Sequence, residues 1–211
     1  RQHWDYDPSK QDTKNIINEI PLIVDTLYNL KVQGKIRAFG LSNETSWGVM
    51  QFILAAKNYR NFPVTSIQNE YSLLCRHYDT DMSELSHNEN IPLIAYSPLA
   101  AGLLSGKYAD NKIPKNSRLS RVDELGGRFN FRTNKAVNEY LNLSKKYNLN
   151  LVNISLAFCN QRSFMGSVIF GSTTFEQLKH ILSARSLKLS EEIISEINLI
   201  YKNNPLTFYL N

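Results

Sequence analysis

One stretch of this chain combines residue types that could do chemistry together: Tyr96-Ser97-Pro98-Leu99-Ala100-Ala101-Gly102-Leu103-Leu104-Ser105-Gly106-Lys107. An aromatic face, a hydroxyl, small residues that leave backbone amides bare, and one cation suit a large anionic ligand that carries a flat ring. The same composition also suits an ordinary strand-to-loop junction. A second stretch, Gly171-Ser172-Thr173-Thr174 before Phe175, brings amides and hydroxyls to the start of an amphipathic run. Such a helix N-terminus favours phosphate through its unbonded N–H groups and its dipole.

The elements that must position these groups alternate along the chain. Residues 16–33 have helical periodicity through Leu22, Ile23, Leu27 and Leu30, with Pro21 expected in the first turn and Gly34 as the stop. Residues 36–41 read as a strand that closes in Ser42-Asn43. Thr45 is placed to cap a helix over 46–59, with Trp47, Met50, Ile53 and Leu54 on its apolar face. Residues 64–68 form a second strand, ending Gln68-Asn69, and 77–87 a polar helix. Residues 92–97 form the strand before the opening stretch. A long polar and basic loop is expected over 105–132, functional or mobile by its length. Helices follow at 133–147 and 153–162, a strand at 167–170, and helices at 175–185 and 190–203, the last capped by Ser190.

Strand and helix in alternation demand a parallel sheet with helical crossovers. The four strands end in Ser42-Asn43, Gln68-Asn69, Tyr96-Ser97 and Gly171-Ser172-Thr173, all at C-terminal ends, where both α/β barrels and open α/β sheets hold their ligands. No G-x-G-x-x-G follows any strand, which argues against a Rossmann site even for a dinucleotide.

Composition narrows the classes further. With 211 residues, 42% hydrophobic and 20% charged, the chain forms a core, and one domain over 1–211 is expected. The net charge of +5 is scattered, and Lys145-Lys146 is the lone basic doublet, so a phosphate-bearing small molecule fits at least as well as nucleic acid. Cys75 and Cys159 lie far apart without a C-x-x-C or Cys/His cluster, so neither zinc nor a disulfide framework is signalled, and a reducing cytoplasmic setting is expected. No run approaches the ~20 apolar residues of a membrane span. The start, Arg1-Gln2-His3-Trp4, has no apolar signal core and no Met, as expected of a fragment or processed piece. Tyr71, Tyr78 and Tyr108 are candidates for a catalytic acid by type, but none sits on a strand end with an adjacent buried Lys and Asp in a readable pattern. His77, His87 and His180 read as surface or helix residues, and Asp79-Thr80-Asp81 as a helix start.

Five ordered motifs then carry a resemblance: Gly34-Lys35-Ile36-Arg37-Ala38-Phe39-Gly40-Leu41-Ser42-Asn43, Ile67-Gln68-Asn69-Glu70-Tyr71-Ser72, Tyr96-Ser97-Pro98-Leu99, Gly106-Lys107-Tyr108 and Gly171-Ser172-Thr173-Thr174. In order and spacing they resemble the aldo-keto reductases, nearest the branch of Tas-like reductases and potassium-channel β subunits. The resemblance implies a (β/α)8 TIM barrel, here N-terminally incomplete with about strands 5–8 and the C-terminal helices. It implies NADP(H) as cofactor and carbonyl reduction of an aldehyde or ketone by hydride transfer, or alternatively a non-catalytic NADP(H)-binding sensor subunit.

By the same resemblance, Ser42, Asn43 and Gln68 hold the nicotinamide carboxamide and Tyr96 stacks on the ring. Ser97, Pro98, Leu99 and Ala101 follow the pyrophosphate, with Lys107 and Arg118 near the phosphates. Gly171, Thr173 and Gln177 cradle the adenosine end. His3 matches the histidine that orients the carbonyl, and Trp4 the substrate pocket. The family's Asp, Tyr and Lys match no residue here, so the 211 residues alone are expected to show no turnover. The family usually places an acidic residue and an asparagine three and four positions after Gln177, where this chain has His180 and Ile181.

Overall fold

The computed structural model describes residues 8–205, 207 and 208. Eleven regular elements follow one another among them: α1 (Thr13–Val32), β1 (Phe39–Ser42), α2 (Ser46–Ala56), β2 (Val64–Glu70), α3 (Asp81–Glu89), β3 (Leu93–Tyr96), α4 (Phe131–Lys146), α5 (Leu151–Asn160), β4 (Met165–Val168), α6 (Phe175–Ser183) and α7 (Glu191–Asn203). The strands hydrogen-bond in the order β1-β2-β3-β4. β1 and β2 run parallel, with Ser42 opposite Gln68. The bonds from Ile67 N to Pro92 O (3.1 Å) and from Tyr71 N to Tyr96 O (3.2 Å) advance in one direction along both strands, so β2 and β3 are parallel too. The expected alternation of four strands with helical crossovers is therefore present.

The chain divides into two compact units, the first ending at Asn69 and including Asp79–Ile94, the second comprising Glu70–Tyr78 and Ala95–Asn211. In the first, α1 starts earlier than its apolar spacing indicated. Asp12 caps it by accepting from Asn15 N at 3.0 Å. Pro21 consequently lies inside the helix rather than in its first turn. The buried side is formed by Ile20 and Val24, while Leu22 is 67% exposed and Ile23 is also exposed. The expected stripe therefore splits: Leu27 and Leu30 are half-buried, Leu27 in line with Ile20 and Val24, while Leu22 and Ile23 turn outward. In α2 the expected face also holds only in part. Thr45 caps it as expected, accepting from Gly48 N at 3.2 Å. Ile53 faces inward as expected, joined by Val49 and Phe52, whereas Trp47 and Leu54 face out, Leu54 at 50%. Phe39, Phe62, Tyr28 and Tyr59 form an aromatic chain with centroid spacings of 4.6–5.5 Å.

In the second unit, Tyr71 stacks on Phe158 at 6.0 Å and meets Phe164 edge-on at 5.5 Å. The Arg76 guanidinium lies over Phe158 and Tyr201 and donates to Asn198 Oδ1 at 2.9 Å, which ties α5 and α7 to the segment after β2. Tyr140 donates to Leu73 O at 3.1 Å. The segment before α4 departs from a plain mobile loop. It contains 3-10 turns at Ala109–Asn111 and Asp123–Leu125, and buries Tyr108, Leu119 and Leu125. It ends in a bidentate ion pair, Arg128 Nε to Glu70 Oε1 at 3.0 Å and Nη2 to Oε2 at 2.7 Å. Asn130 caps α4, accepting from Thr133 N at 3.0 Å, so the helix starts at Phe131, two residues before the expected start.

Candidate functional site

The first unit brings Ser42, Asn43 and Gln68 together at the ends of β1 and β2. Asn43 takes a left-handed conformation, φ 52°, which asparagine tolerates better than most residues. Its backbone N–H donates to Gln68 O at 3.0 Å and its Nδ2 to Ser42 Oγ at 3.3 Å. Asn69, which sequence reasoning left as part of a strand end, is fully buried beside them. Its Nδ2 donates to Glu44 O at 3.4 Å, while its Oδ1 has no hydrogen-bond partner among the described residues. The Glu44 carboxylate accepts from Thr45 N at 3.0 Å and occupies the space where a Cβ on residue 48 would stand, 2.3 Å from Oε1, which is why that position is Gly48.

In the second unit Tyr96 ends β3 half-buried. The chain then turns through a run of left-handed residues: Ser97 (φ 53°), Ala100 (49°), Ala101 (57°) and Gly102 (97°). Bonds from Ala100 N to Ser97 O (2.8 Å), Gly102 N to Leu99 O (2.9 Å) and Leu104 N to Leu99 O (3.2 Å) hold this turn closed. Pro98 is buried, and Leu99 packs with Val168 against Val152, Leu156, Ile181 and Ala184. The loop after β3 is thereby seated on α5, α6 and the end of β4. Lys107 folds back over Gly102, where a Cβ would lie 3.1 Å from its Cε and 3.2 Å from its Nζ. Its Nζ sits 5.0 Å from the centre of the Tyr108 ring. Arg118 is exposed.

At the start of α6, Thr174 caps the helix, accepting from Gln177 N at 3.2 Å. Gln177 Oε1 accepts from Thr173 N at 2.9 Å and from Thr173 Oγ1 at 3.1 Å. The Gln177 amide is thus oriented by its oxygen, and its Nε2 donors are left to face solvent. Gly171 is exposed, with nothing within 4 Å of a Cβ built on it. His180 is exposed, whereas Ile181 is buried at 7%.

The remaining candidates separate by burial. Tyr71, Tyr78 and Tyr108 are almost fully buried. Cys75 and Cys159 are free and buried, and burial pushes the Cys75 thiol far up, away from nucleophile chemistry. His87 is exposed, and His77 is half-buried at the start of a 3-10 turn. His3 and Trp4 lie outside the described residues. Burial holds the His77 imidazole below its ordinary value, against the opposing pull of Glu70. Between the folded and unfolded values the unfolded chain binds more protons, so this group's stability is full above the unfolded value and is lost as pH falls through the folded one. In urea unfolding between pH 7 and pH 5, His77→Gln should therefore lose less stability than wild type; an unchanged slope would remove His77 from the account.

Comparison with known proteins places this arrangement. The family model described as Aldo/keto reductase family matches residues 3–202. The chain is 35% identical over 182 residues to "Protein tas" of Escherichia coli, covering 85% of this chain and 52% of that protein. It is 37% identical over 202 residues to an "Aldo-keto reductase" of Babesia bovis, covering 90% of this chain and 71% of that one. Among solved structures, a glycerol dehydrogenase from Gluconobacter oxydans superposes with a TM-score of 0.70 at 20% identity, over 91% of this chain and 57% of that one. The chain thus spans about half the length of the first of these relatives. The four parallel strands and their helices are part of the (β/α)8 barrel fold that these matches share. With the family model spanning all four strand ends, this chain belongs to the aldo/keto reductase family.

Proposed function

We propose that the protein carrying this chain is an NADP(H)-dependent oxidoreductase that reduces aldehyde or ketone carbonyls. The observation that carries the reading is the set of donors at the strand ends. Asn43 and Ser42 are locked in register with Gln68, the Ser97 to Lys107 turn is closed by its own backbone bonds, and Gln177 is oriented with its Nε2 outward. Amides, hydroxyls and a lysine without an acidic neighbour in the turn suit an anionic dinucleotide. The buried Oδ1 of Asn69, without a hydrogen-bond partner among the described residues, adds an acceptor beside Gln68.

In this reading Ser42, Asn43 and Gln68 orient the carboxamide, and Tyr96 presents an aromatic face to the nicotinamide. Ser97, Pro98, Leu99 and Ala101 form the pyrophosphate wall, with Lys107 and Arg118 supplying charge. Gly171, Thr173 and Gln177 hold the adenosine end. The bound cofactor supplies the hydride. His3 orients the carbonyl oxygen by a hydrogen bond, Trp4 lines the substrate pocket, and none of the buried tyrosines Tyr71, Tyr78 and Tyr108 is assigned the proton.

Titration of the full-length protein with NADPH, followed by cofactor fluorescence, tests this. Lys107→Ala and Gln177→Ala should each weaken binding by about tenfold or more, the scale of one charge-assisted or amide contact. A full-length protein that does not bind NADPH, or whose binding ignores both substitutions, overturns the reading.

A further inference from the structure

We propose that Tyr108 is the positioning residue of the anion site, one side chain that sets both cations assigned to the phosphates. The inference rests on the NADP(H) reading above. Lys107 immediately precedes Tyr108, and its Nζ lies over the Tyr108 ring at 5.0 Å. Arg118 immediately precedes Leu119, whose backbone N–H donates to the Tyr108 hydroxyl at 3.3 Å. Ring face and hydroxyl therefore act on different segments, eleven residues apart in the chain, and each segment carries one of the two cations.

The surroundings make Tyr108 rigid enough for this. It is 1% exposed, Phe129 meets it edge-on at 6.4 Å, and Leu119 is buried beside Ser117. Ser117 Oγ accepts from Ser120 N at 3.3 Å, and Ser120 Oγ donates back to Ser117 O at 2.8 Å, so the turn that displays Arg118 is closed on itself. That turn leans on the tyrosine through the Leu119 amide. Without the hydroxyl, the Leu119 N–H is buried without this partner, and the turn must shift to find water.

The experiment is a thermodynamic cycle on NADPH affinity in the full-length protein. Tyr108→Phe keeps the ring and removes the hydroxyl, so it should act through Arg118 alone. Binding should weaken about fivefold in the wild-type background. The same substitution should change binding by less than about twofold when Arg118 is already alanine, and should keep its full effect when Lys107 is alanine. Tyr108→Leu, which also removes the ring beneath Lys107, should lose its effect only when both Lys107→Ala and Arg118→Ala are present. Wild-type affinity in Tyr108→Phe, or an equal loss in the Arg118→Ala background, overturns the inference and leaves the NADP(H) reading standing. Absence of NADPH binding by the wild type overturns both.

Discussion

Arg128→Ala should lower the free energy of unfolding by about 3 kcal/mol or more, because it strands a buried carboxylate. The Glu70 side chain is 5% exposed and that of Arg128 18%. The guanidinium meets both carboxylate oxygens, donates a further bond from Nη1 to Leu125 O at 3.2 Å, and lies over the Phe208 ring at 5.6 Å. Truncation removes all of these and leaves Glu70 charged at the end of β2. Arg128→Lys keeps the charge but loses the fork, so an intermediate loss is expected. Glu70→Leu with Arg128→Met should recover most of the stability, because no charge is then left unpaired. Urea unfolding at pH 7 measures all three. A loss below about 1 kcal/mol for Arg128→Ala would mean that the pair behaves as a solvated surface bridge. The expected effect extends along the chain, since Arg128 ends the segment that carries Tyr108 and Arg118.

Ile181→Asn, which introduces the residue type the family usually carries at this position, should destabilise by about 3–4 kcal/mol and should not tighten NADPH binding. Ile181 belongs to the apolar cluster with Val152, Leu156 and Ala184, on which Leu99 and Val168 rest. Asparagine there loses branched apolar volume and buries an amide with no partner among these aliphatic neighbours; each contributes about 1–3 kcal/mol. Ile181→Val keeps the character of the site and should cost about 1 kcal/mol. Because Leu99 belongs to the turn after β3, loosening the cluster should also weaken NADPH binding. A stable Ile181→Asn variant with tighter NADPH binding would show that the position turns toward the ligand.

The strand ends were readable because their signal is local. A short apolar run followed by Ser-Asn, Gln-Asn or Tyr-Ser-Pro marks a strand that stops where small or polar residues are needed, whereas β4 lies at Met165–Val168, two residues before the expected 167–170 and short of Gly171. Helix caps were equally legible at Thr45 and Ser190, since a cap is one side chain bonding a neighbouring amide. The inward faces of α1 and α2 were legible only in part: Leu27 and Leu30 are half-buried and Ile53 is buried, as their spacing indicated, but Leu22, Ile23, Trp47 and Leu54 are exposed. Each helix carries two apolar rows, and periodicity cannot say which row meets a partner. Leu22 and Leu54 face out because Ile20, Val24, Phe52 and Ile53 are the ones that packing buries.

Segment 105–132 shows the same division most sharply. Its polar, basic composition marks it as a long loop in which Lys107 and Arg118 stand out. Its order comes from non-local contacts: Glu70, 58 residues away in the chain, for Arg128, and Leu119, eleven residues on within the segment, for Tyr108. The order of elements, their caps and the chemistry at the strand ends follow from residues within a few positions of one another, so they are written in the chain. Which apolar row is buried, why position 181 is aliphatic, and how the cations of the loop are held depend on contacts between distant residues. Those contacts exist only once the chain has folded.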